Sequence, residues 1–153
     1  MRLSALTRPE LIFPELGALD RGELLRDLAR RMADEGAVPD GGELFDRLWE
    51  REELGSTGIG AGVAVPHCKL DGLAKVVLAI GIHPKGLDFG AVDGQPVRLF
   101  FCIVSPSRNP AAHLKVLSAI SRWVQVRDQV DGLLQRTDPA ELHDLLAAGE
   151  EAR

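Results

Sequence analysis

The chain has 153 residues, with 18 Lys and Arg against 23 Asp and Glu, and its formal net charge is −5. This acidic balance argues against a general nucleic-acid binder, because a phosphate backbone requires a basic protein face. Hydrophobic residues make up 45% of the chain, enough for one sizeable core. We therefore predict that residues 1–153 form a single domain.

Cysteine use and hydropathy narrow the class of protein further. Cys68 and Cys102 are the only cysteines; they lie far apart and outside any metal-type spacing, which argues against a disulfide framework and a zinc module. The segment Met1–Pro14 lacks a signal-peptide pattern, and no apolar stretch has membrane-spanning length. These features predict a soluble protein of the reducing cytoplasm, without direct membrane insertion.

The first third of the chain predicts a short strand and a helix. The apolar segment Leu11–Leu16 is interrupted by a proline, which favours an edge strand. Asp20 offers an N-cap, and behind it Leu24, Leu28 and Met32 recur at a spacing of four. Gly36 is a natural stop for this amphipathic helix.

The middle of the chain predicts a second helix and two buried strands. Residues 40–54 repeat the amphipathic pattern, and Gly55 ends it. The nearly continuous apolar runs Val76–Ile82 and Val97–Val104 are typical of strands that are covered on both faces. Asp93-Gly94 is a strong turn signal between them.

The last third predicts three helices. Asn109 followed by proline is typical of a helix start, and we expect its apolar face to hold Leu114, Leu117, Ile120, Ser121 and Val124. A short helix is predicted over Val126–Arg136, and Asp138 begins the last one. Strands that are apolar on both faces need cover on both sides, so this order predicts an α/β fold with a mixed sheet between helices.

The segment Ser56–His67 is unusually rich in glycine. Gly58, Gly60 and Gly62 alternate with other residues, a spacing that matches neither a Walker A loop nor the dinucleotide fingerprint. Taken alone, the glycines favour a tight turn between a helix and a strand. The alternative is an anion-binding nest built from successive N–H groups.

His67 is the first candidate for covalent chemistry. Pro66 fixes the backbone before it, and we expect the ring to be presented at the end of a short apolar strand. A neutral imidazole has a free lone pair near pH 7, which suits phosphoryl carriage. On composition alone, any one of the four histidines is more often a structural or surface residue than a catalytic one.

Other polar residues offer weaker signals. His113 falls in the first turn of the helix capped by Asn109, where a neutral ring could bond a phosphoryl oxygen or simply the backbone. Arg51 suits either a surface ion pair or a planar fork for phosphate oxygens. His83 is explained by a turn at a strand exit, and His143 by a solvated helix face.

A thiol or metal reaction is not favoured. Cys68 follows His67 directly, and neighbouring residues on an extended chain point in different directions. A metal site from these two residues and His113 would have no recognised spacing. We therefore predict neither a metal nor a cofactor.

A long pattern closely resembles the active-site signature of the fructose/mannitol-type enzyme IIA family of the bacterial phosphotransferase system, and most of all its nitrogen-regulatory branch. The matching residues are Arg51-Glu52, Gly55-Ser56-Thr57-Gly58-Ile59-Gly60, Gly62, Ala64, Pro66-His67, Phe89–Val97, His113-Leu114 and Leu117. The resemblance covers nearly the whole chain from about Leu3. Cys68 departs from it, since relatives commonly have glycine after the histidine.

The resemblance implies a three-layer α/β/α sandwich and a phosphorylated histidine at His67. It implies that His113 holds the phosphoryl group and that Arg51 lies nearby. The phosphoryl-binding loop would consist of Ser56, Thr57, Gly58, Gly60 and Gly62. The implied donor is a histidine phosphocarrier protein, charged from phosphoenolpyruvate by enzyme I, and the implied acceptor is an enzyme IIB cysteine that leads to sugar uptake.

Three alternatives to this sugar relay remain at the level of sequence. A nitrogen-type regulatory protein would use the same phosphohistidine to control other proteins by binding them. A binding module that has lost phosphorylation would need neither His67 nor His113. A Cys/His hydrolase or metalloprotein is the most distant alternative.

Overall fold

The computed structural model describes residues 2–151. Six strands lie in one sheet within these residues: β1 (Ile12–Phe13), β2 (Gly58–Gly60), β3 (Val63–Ala64), β4 (His67–Leu70), β5 (Val77–Leu87) and β6 (Val97–Pro106). Five α-helices accompany them: α1 (Arg21–Asp34), α2 (Gly41–Glu53), α3 (Pro110–Val124), α4 (Arg127–Leu134) and α5 (Pro139–Glu151). Two short 3₁₀ turns, Leu3–Ala5 and Pro9–Leu11, precede β1.

The sheet is mixed, as the sequence predicts. Its strand order is β1-β5-β6-β3-β2, and β4 also pairs with β6. Long antiparallel β5 and β6 form its centre, whereas β1 pairs with β5, and β3 and β4 pair with β6, in parallel. Because β1 lies at one edge, the predicted edge strand near Leu11–Leu16 is confirmed.

Helices cover both faces of the sheet. Along β6, Phe100, Cys102 and Val104 pack in a core shared with α1 and α2. The alternating residues Leu99, Phe101 and Ile103 pack in a second core with α3, α4 and α5. This period of two explains the continuous apolar runs in the sequence and confirms the three-layer α/β/α sandwich.

The caps predicted at Asp20 and Asn109 are confirmed, and Asp40 is a further cap at the start of α2. The Asp20 side chain accepts from Glu23 N–H at 2.8 Å, and the Asp40 side chain accepts from Gly42 N–H at 2.9 Å. Asn109 accepts from Ala112 N–H at 3.2 Å at the start of α3. Each cap satisfies an N–H group that the first turn leaves without an intrahelical partner.

The apolar face predicted for α3 is confirmed in part: Ile120 is buried and Leu117 and Val124 pack partly buried against the second core, but Leu114 and Ser121 are exposed. Its buried residues are His113, Val116, Ile120 and Trp123, whereas Leu114 is 66% exposed. The predicted and the observed sets of buried residues have nearly the same spacing, so periodicity alone does not determine the rotation of α3 about its axis. Burial of the large Trp123 ring against Phe101 decides the rotation, and the same rotation turns His113 toward the sheet.

The predicted roles of His83 and His143 also need correction. Strand β5 continues past Ile82, and His83 is buried within it, with Nε2–H donating to Ala18 O at 2.8 Å. The following proline is tolerated because the register with β6 shifts between Ile82 and Leu87. His143 is half-buried rather than fully solvated, and its Nε2–H donates to Ser4 O.

No helix within residues 2–151 combines the length and apolarity needed to cross a bilayer.

Candidate active site

His67 is the first residue of β4, and its ring is half-buried. Its Nδ1–H donates to Val65 O at 2.7 Å. A carbonyl oxygen can only accept, so this bond keeps the proton of a neutral ring on Nδ1 and leaves the lone pair on Nε2. The atom that His67 presents is therefore a nucleophilic nitrogen.

Arg51, in the last turn of α2, contacts that nitrogen. Its Nε–H donates to His67 Nε2 at 3.3 Å, and its Nη1–H donates to Gly55 O at 2.8 Å. The neighbouring Glu50 pairs with Arg47 instead. The structure thus brings Arg51 to His67 across 16 residues of sequence, in an orientation that suits phosphate oxygens.

His113 also contacts the His67 ring. The two ring centroids are 5.3 Å apart and tilted by 53°. His113 is 6% exposed, and its Nδ1 lies 2.7 Å from the Ser105 hydroxyl. A phosphoryl group on one ring is within reach of the other, so the two histidines that the sequence singled out share one site.

Burial lowers the pKa of both rings. For His67, burial has the largest effect; Arg51 and Lys69 add to it, while the Val65 bond and Glu52 oppose it. For His113, burial and then the His67 and Lys69 charges lower the pKa to about 4. Both rings are consequently neutral near pH 7, which is the state in which Nε2 of His67 can attack.

Glu52 holds the start of the glycine-rich loop. This carboxylate is 4% exposed and accepts from Thr57 N–H at 2.9 Å and from Thr57 Oγ1–H at 2.6 Å. Ser56 Oγ–H donates to Phe89 O at 2.6 Å, while Ser56 Oγ accepts from Gly58 N–H. These bonds fix the loop directly after the turn of α2 that carries Arg51.

The rest of the loop is a hairpin between β2 and β3. Gly60, Ala61 and Gly62 all have positive φ, at 96°, 56° and 79°. Ala61 N–H donates to Asp93 Oδ2 at 2.9 Å, and Ala61 O accepts from Arg127 Nη1–H at 2.7 Å. The N–H groups of residues 57, 58 and 61 therefore have partners within the protein, and they are not free to form the anion nest considered above.

The cysteines lie apart from this chemistry. Cys68 packs in the core beneath α1 and α2, on the face of the sheet opposite to His113, and burial raises the pKa of its thiol to about 12. Cys102 is buried in the same core. Within residues 2–151, no group of three or more His, Cys, Asp or Glu residues could hold a metal ion.

Three residues of the site had no role assigned from the sequence: Glu52, Lys69 and Ser105. Each carried a signal. An acid near a helix C-terminus opposes the helix dipole, a lysine two positions after His67 shares its side of β4, and a serine in an apolar strand needs a partner. None of these signals identifies the partner, which depends on packing.

Comparisons with known proteins agree with this architecture. A family model for the phosphoenolpyruvate-dependent sugar phosphotransferase system, EIIA 2, matches residues 5–149. The chain is 37% identical over 148 residues to the PTS system fructose-specific EIIA component of Haloferax volcanii, covering 95% of this chain and 94% of that protein. It is 35% identical over 152 residues to the nitrogen regulatory protein of Bradyrhizobium diazoefficiens, covering 96% and 95%.

A solved structure supports the same assignment. The nitrogen regulatory protein IIA-Ntr from Neisseria meningitidis has a TM-score of 0.87 and 26% identity, covering 94% of this chain and 98% of that chain. The family match includes Arg51, the glycine-rich loop that follows it, and both histidines. The chain belongs to the EIIA type 2 family of the phosphoenolpyruvate-dependent sugar phosphotransferase system.

Proposed function

We propose that this protein is a phosphohistidine carrier that receives a phosphoryl group on His67 from a histidine phosphocarrier protein and passes it to an enzyme IIB cysteine for sugar uptake. The observation that carries the proposal is the state of the His67 ring. Its Nδ1–H is bound by Val65 O, and its Nε2 lone pair faces Arg51 beside His113. A lone pair held in this way is available for nucleophilic attack on phosphorus.

The chemical step needs no base. The His67 Nε2 lone pair attacks phosphorus, a new N–P bond forms, and the N–P bond to the donor histidine breaks. The bonding electron pair returns to the donor ring, so no proton has to leave His67. The ring gains positive character, which strengthens the Nδ1–H bond to Val65 O.

Positive groups stabilise the transferred phosphoryl group. Arg51 exchanges its bond to Nε2 for bonds to phosphoryl oxygens, and Lys69 adds positive potential from the same side of β4. His113, whose ring lies beside that of His67, bonds a phosphoryl oxygen. Since the N–H groups of residues 57, 58 and 61 are engaged within the protein, we infer that the loop residues Ser56, Thr57, Gly58, Gly60 and Gly62 act chiefly by holding the frame around the phosphoryl group.

An apolar surface beside the site suits a protein partner. Leu54, Val92 and Leu114 are 84%, 82% and 66% exposed, and Ile59 is 47% exposed. Leu114 follows His113 directly, and Val92 lies against Gly60 of the hairpin. Exposed apolar side chains around a reacting group dock a partner and exclude water from the transfer.

The test is intact mass after incubation with phosphoenolpyruvate, enzyme I and the histidine phosphocarrier protein. We expect one acid-labile phosphoryl group on the wild type and on His143→Ala, and none on His67→Ala. Addition of an enzyme IIB should then remove the label. If the wild type takes no label from several active donors, the carrier function is excluded.

The names of the relatives favour a second candidate, a regulatory protein whose phosphorylation controls its binding to other proteins. Nitrogen regulatory proteins match as fully as a fructose-specific component does. The two functions share the first half of the chemistry and differ in the acceptor. A phosphorylated protein that transfers to no enzyme IIB, and that binds a partner in only one phosphorylation state, would favour regulation.

A further inference from the structure

Ser105 is a buried polar residue at the end of an apolar strand. It has 0% exposure, and its side chain lies on the face of β6 that is covered by α3. Its register partner on β4 is Lys69, two residues after His67. Its hydroxyl lies 2.7 Å from His113 Nδ1. The hydroxyl therefore engages Nδ1 of the second histidine and leaves Nε2 as the other nitrogen of that ring.

The two histidines have different kinds of partner at Nδ1. Val65 O, beside His67, can only accept and so places the proton of that ring on Nδ1. The Ser105 hydroxyl, beside His113, can also donate. If the hydroxyl donates, the proton of a neutral His113 resides on Nε2. The same site would then hold the His67 ring as a nucleophile and the His113 ring as a hydrogen-bond donor.

We propose that Ser105 is a positioning residue whose hydroxyl donates to His113 Nδ1, so that His113 presents an Nε2–H donor to the phosphoryl group on His67. The proposal rests on the carrier function proposed above. It adds the residue that determines which nitrogen of His113 carries the proton.

The chemistry of the phosphoryl group requires this arrangement. Phosphoryl oxygens only accept hydrogen bonds, so a lone pair on His113 Nε2 would repel them. A doubly protonated ring would avoid the problem, but in the unphosphorylated protein burial and the His67 and Lys69 charges lower the pKa of His113 to about 4, so the ring is neutral near pH 7 when the phosphoryl group arrives. A buried ring bonded to Ser105 also cannot readily turn over to offer the other nitrogen. The tautomer of His113 therefore determines whether its Nε2 attracts or repels the phosphoryl oxygens.

The first test reads the tautomer directly and does not require phosphorylation. The ¹⁵N shifts of the His113 ring, measured at pH 7, distinguish a protonated Nε2 from a protonated Nδ1. We expect Nε2–H in the wild type and a shift toward a tautomer mixture in Ser105→Ala. The exposed Ser107→Ala is the matched control and should leave the spectrum unchanged. Protonated Nδ1 in the wild type, or an unchanged tautomer in Ser105→Ala, overturns the proposal.

The second test follows the lifetime of the phosphorylated protein. Loss of one neutral hydrogen bond corresponds to about a fivefold effect, so we expect Ser105→Ala to lose its phosphoryl group about fivefold faster than the wild type. Ser105→Thr, which keeps the hydroxyl, should restore the lifetime. Equal lifetimes for the wild type and Ser105→Ala would overturn this inference while leaving the carrier function intact. A wild type that is never labelled would instead exclude the carrier function.

Discussion

Arg51 donates a hydrogen bond to the nitrogen of His67 that we propose as the nucleophile. The Nε–H of Arg51 lies 3.3 Å from Nε2, and its Nη1–H is fixed by Gly55 O. A charge held in this orientation costs little reorganisation when phosphoryl oxygens arrive. At the scale of single residues, the site is thus a neutral nitrogen with a prearranged cation beside it.

Arg51→Ala should slow phosphorylation of His67 by about tenfold or more, because charge-assisted bonds to the transferred group are lost. Arg51→Lys should recover only part of the rate, since a lysine lacks the planar fork. The rate of mass gain at limiting donor measures the effect. Arg47→Ala is the control, because Arg47 lies on the same helix and forms an exposed pair with Glu50. Equal rates for Arg51→Ala and Arg47→Ala would contradict the role.

At the scale of elements, Glu52 joins the end of α2 to the glycine-rich loop. Its buried carboxylate satisfies two donors of Thr57. Glu52→Gln keeps the size of the side chain but removes its charge, so the bond from Thr57 N–H is no longer charge-assisted and the Thr57 hydroxyl must accept from the new amide instead of donating. We expect it to lower the free energy of unfolding by about 1 kcal/mol. Urea unfolding measures this value.

The exposed Glu53→Gln is the matched control for Glu52→Gln and should have almost no effect on stability. A double-mutant cycle with Thr57→Val isolates the bond, because the combined loss should be smaller than the sum of the two single losses. Strictly additive losses would indicate that Glu52 stabilises the protein by another contact.

Gly58 shows how closely the loop packs against the segment before β6. A Cβ at this position would lie 2.9 Å from both Cα and Cβ of Ala91. We expect Gly58→Ala to destabilise the protein by about 1–3 kcal/mol, because the backbone must shift. Gly132→Ala, in α4, meets no atom within 4 Å and should stabilise the helix by up to about 1 kcal/mol. Thermal unfolding of both variants checks the contrast, and a harmless Gly58→Ala would rule out the tight approach.

At the scale of the whole molecule, folding buries His113 as a neutral ring. Its pKa is about 4 in the folded protein against an ordinary value of 6.5, so the unfolded chain binds the proton more readily. The stability that this residue contributes is present above pH 6.5 and is lost as the pH falls toward 4. We therefore expect the urea midpoint to drop between pH 7 and pH 4.5 more steeply in the wild type than in His113→Asn. Parallel drops in the two proteins would contradict the shift, because all other titrating groups are shared.

Much of the architecture follows from local patterns in the sequence. The caps at Asp20, Asp40 and Asn109 begin helices because their side chains bond to N–H groups two or three residues away. The continuous apolar runs in β5 and β6 predict helices on both faces, since every side chain of such a strand needs cover. The motif in the same sequence predicts His67, His113 and Arg51 as residues of the site.

The geometry that joins these residues was decided only by the tertiary structure. Neighbouring sets of residues on α3 have nearly equal spacing, so packing of Trp123 was needed to turn His113, and not Leu114, toward the sheet. The bonds of Arg51 to His67 and of Ser105 to His113 join different elements. Local periodicity depends on a few residues within one segment of the chain. Hydrogen bonds between elements depend on how the helices pack against the sheet.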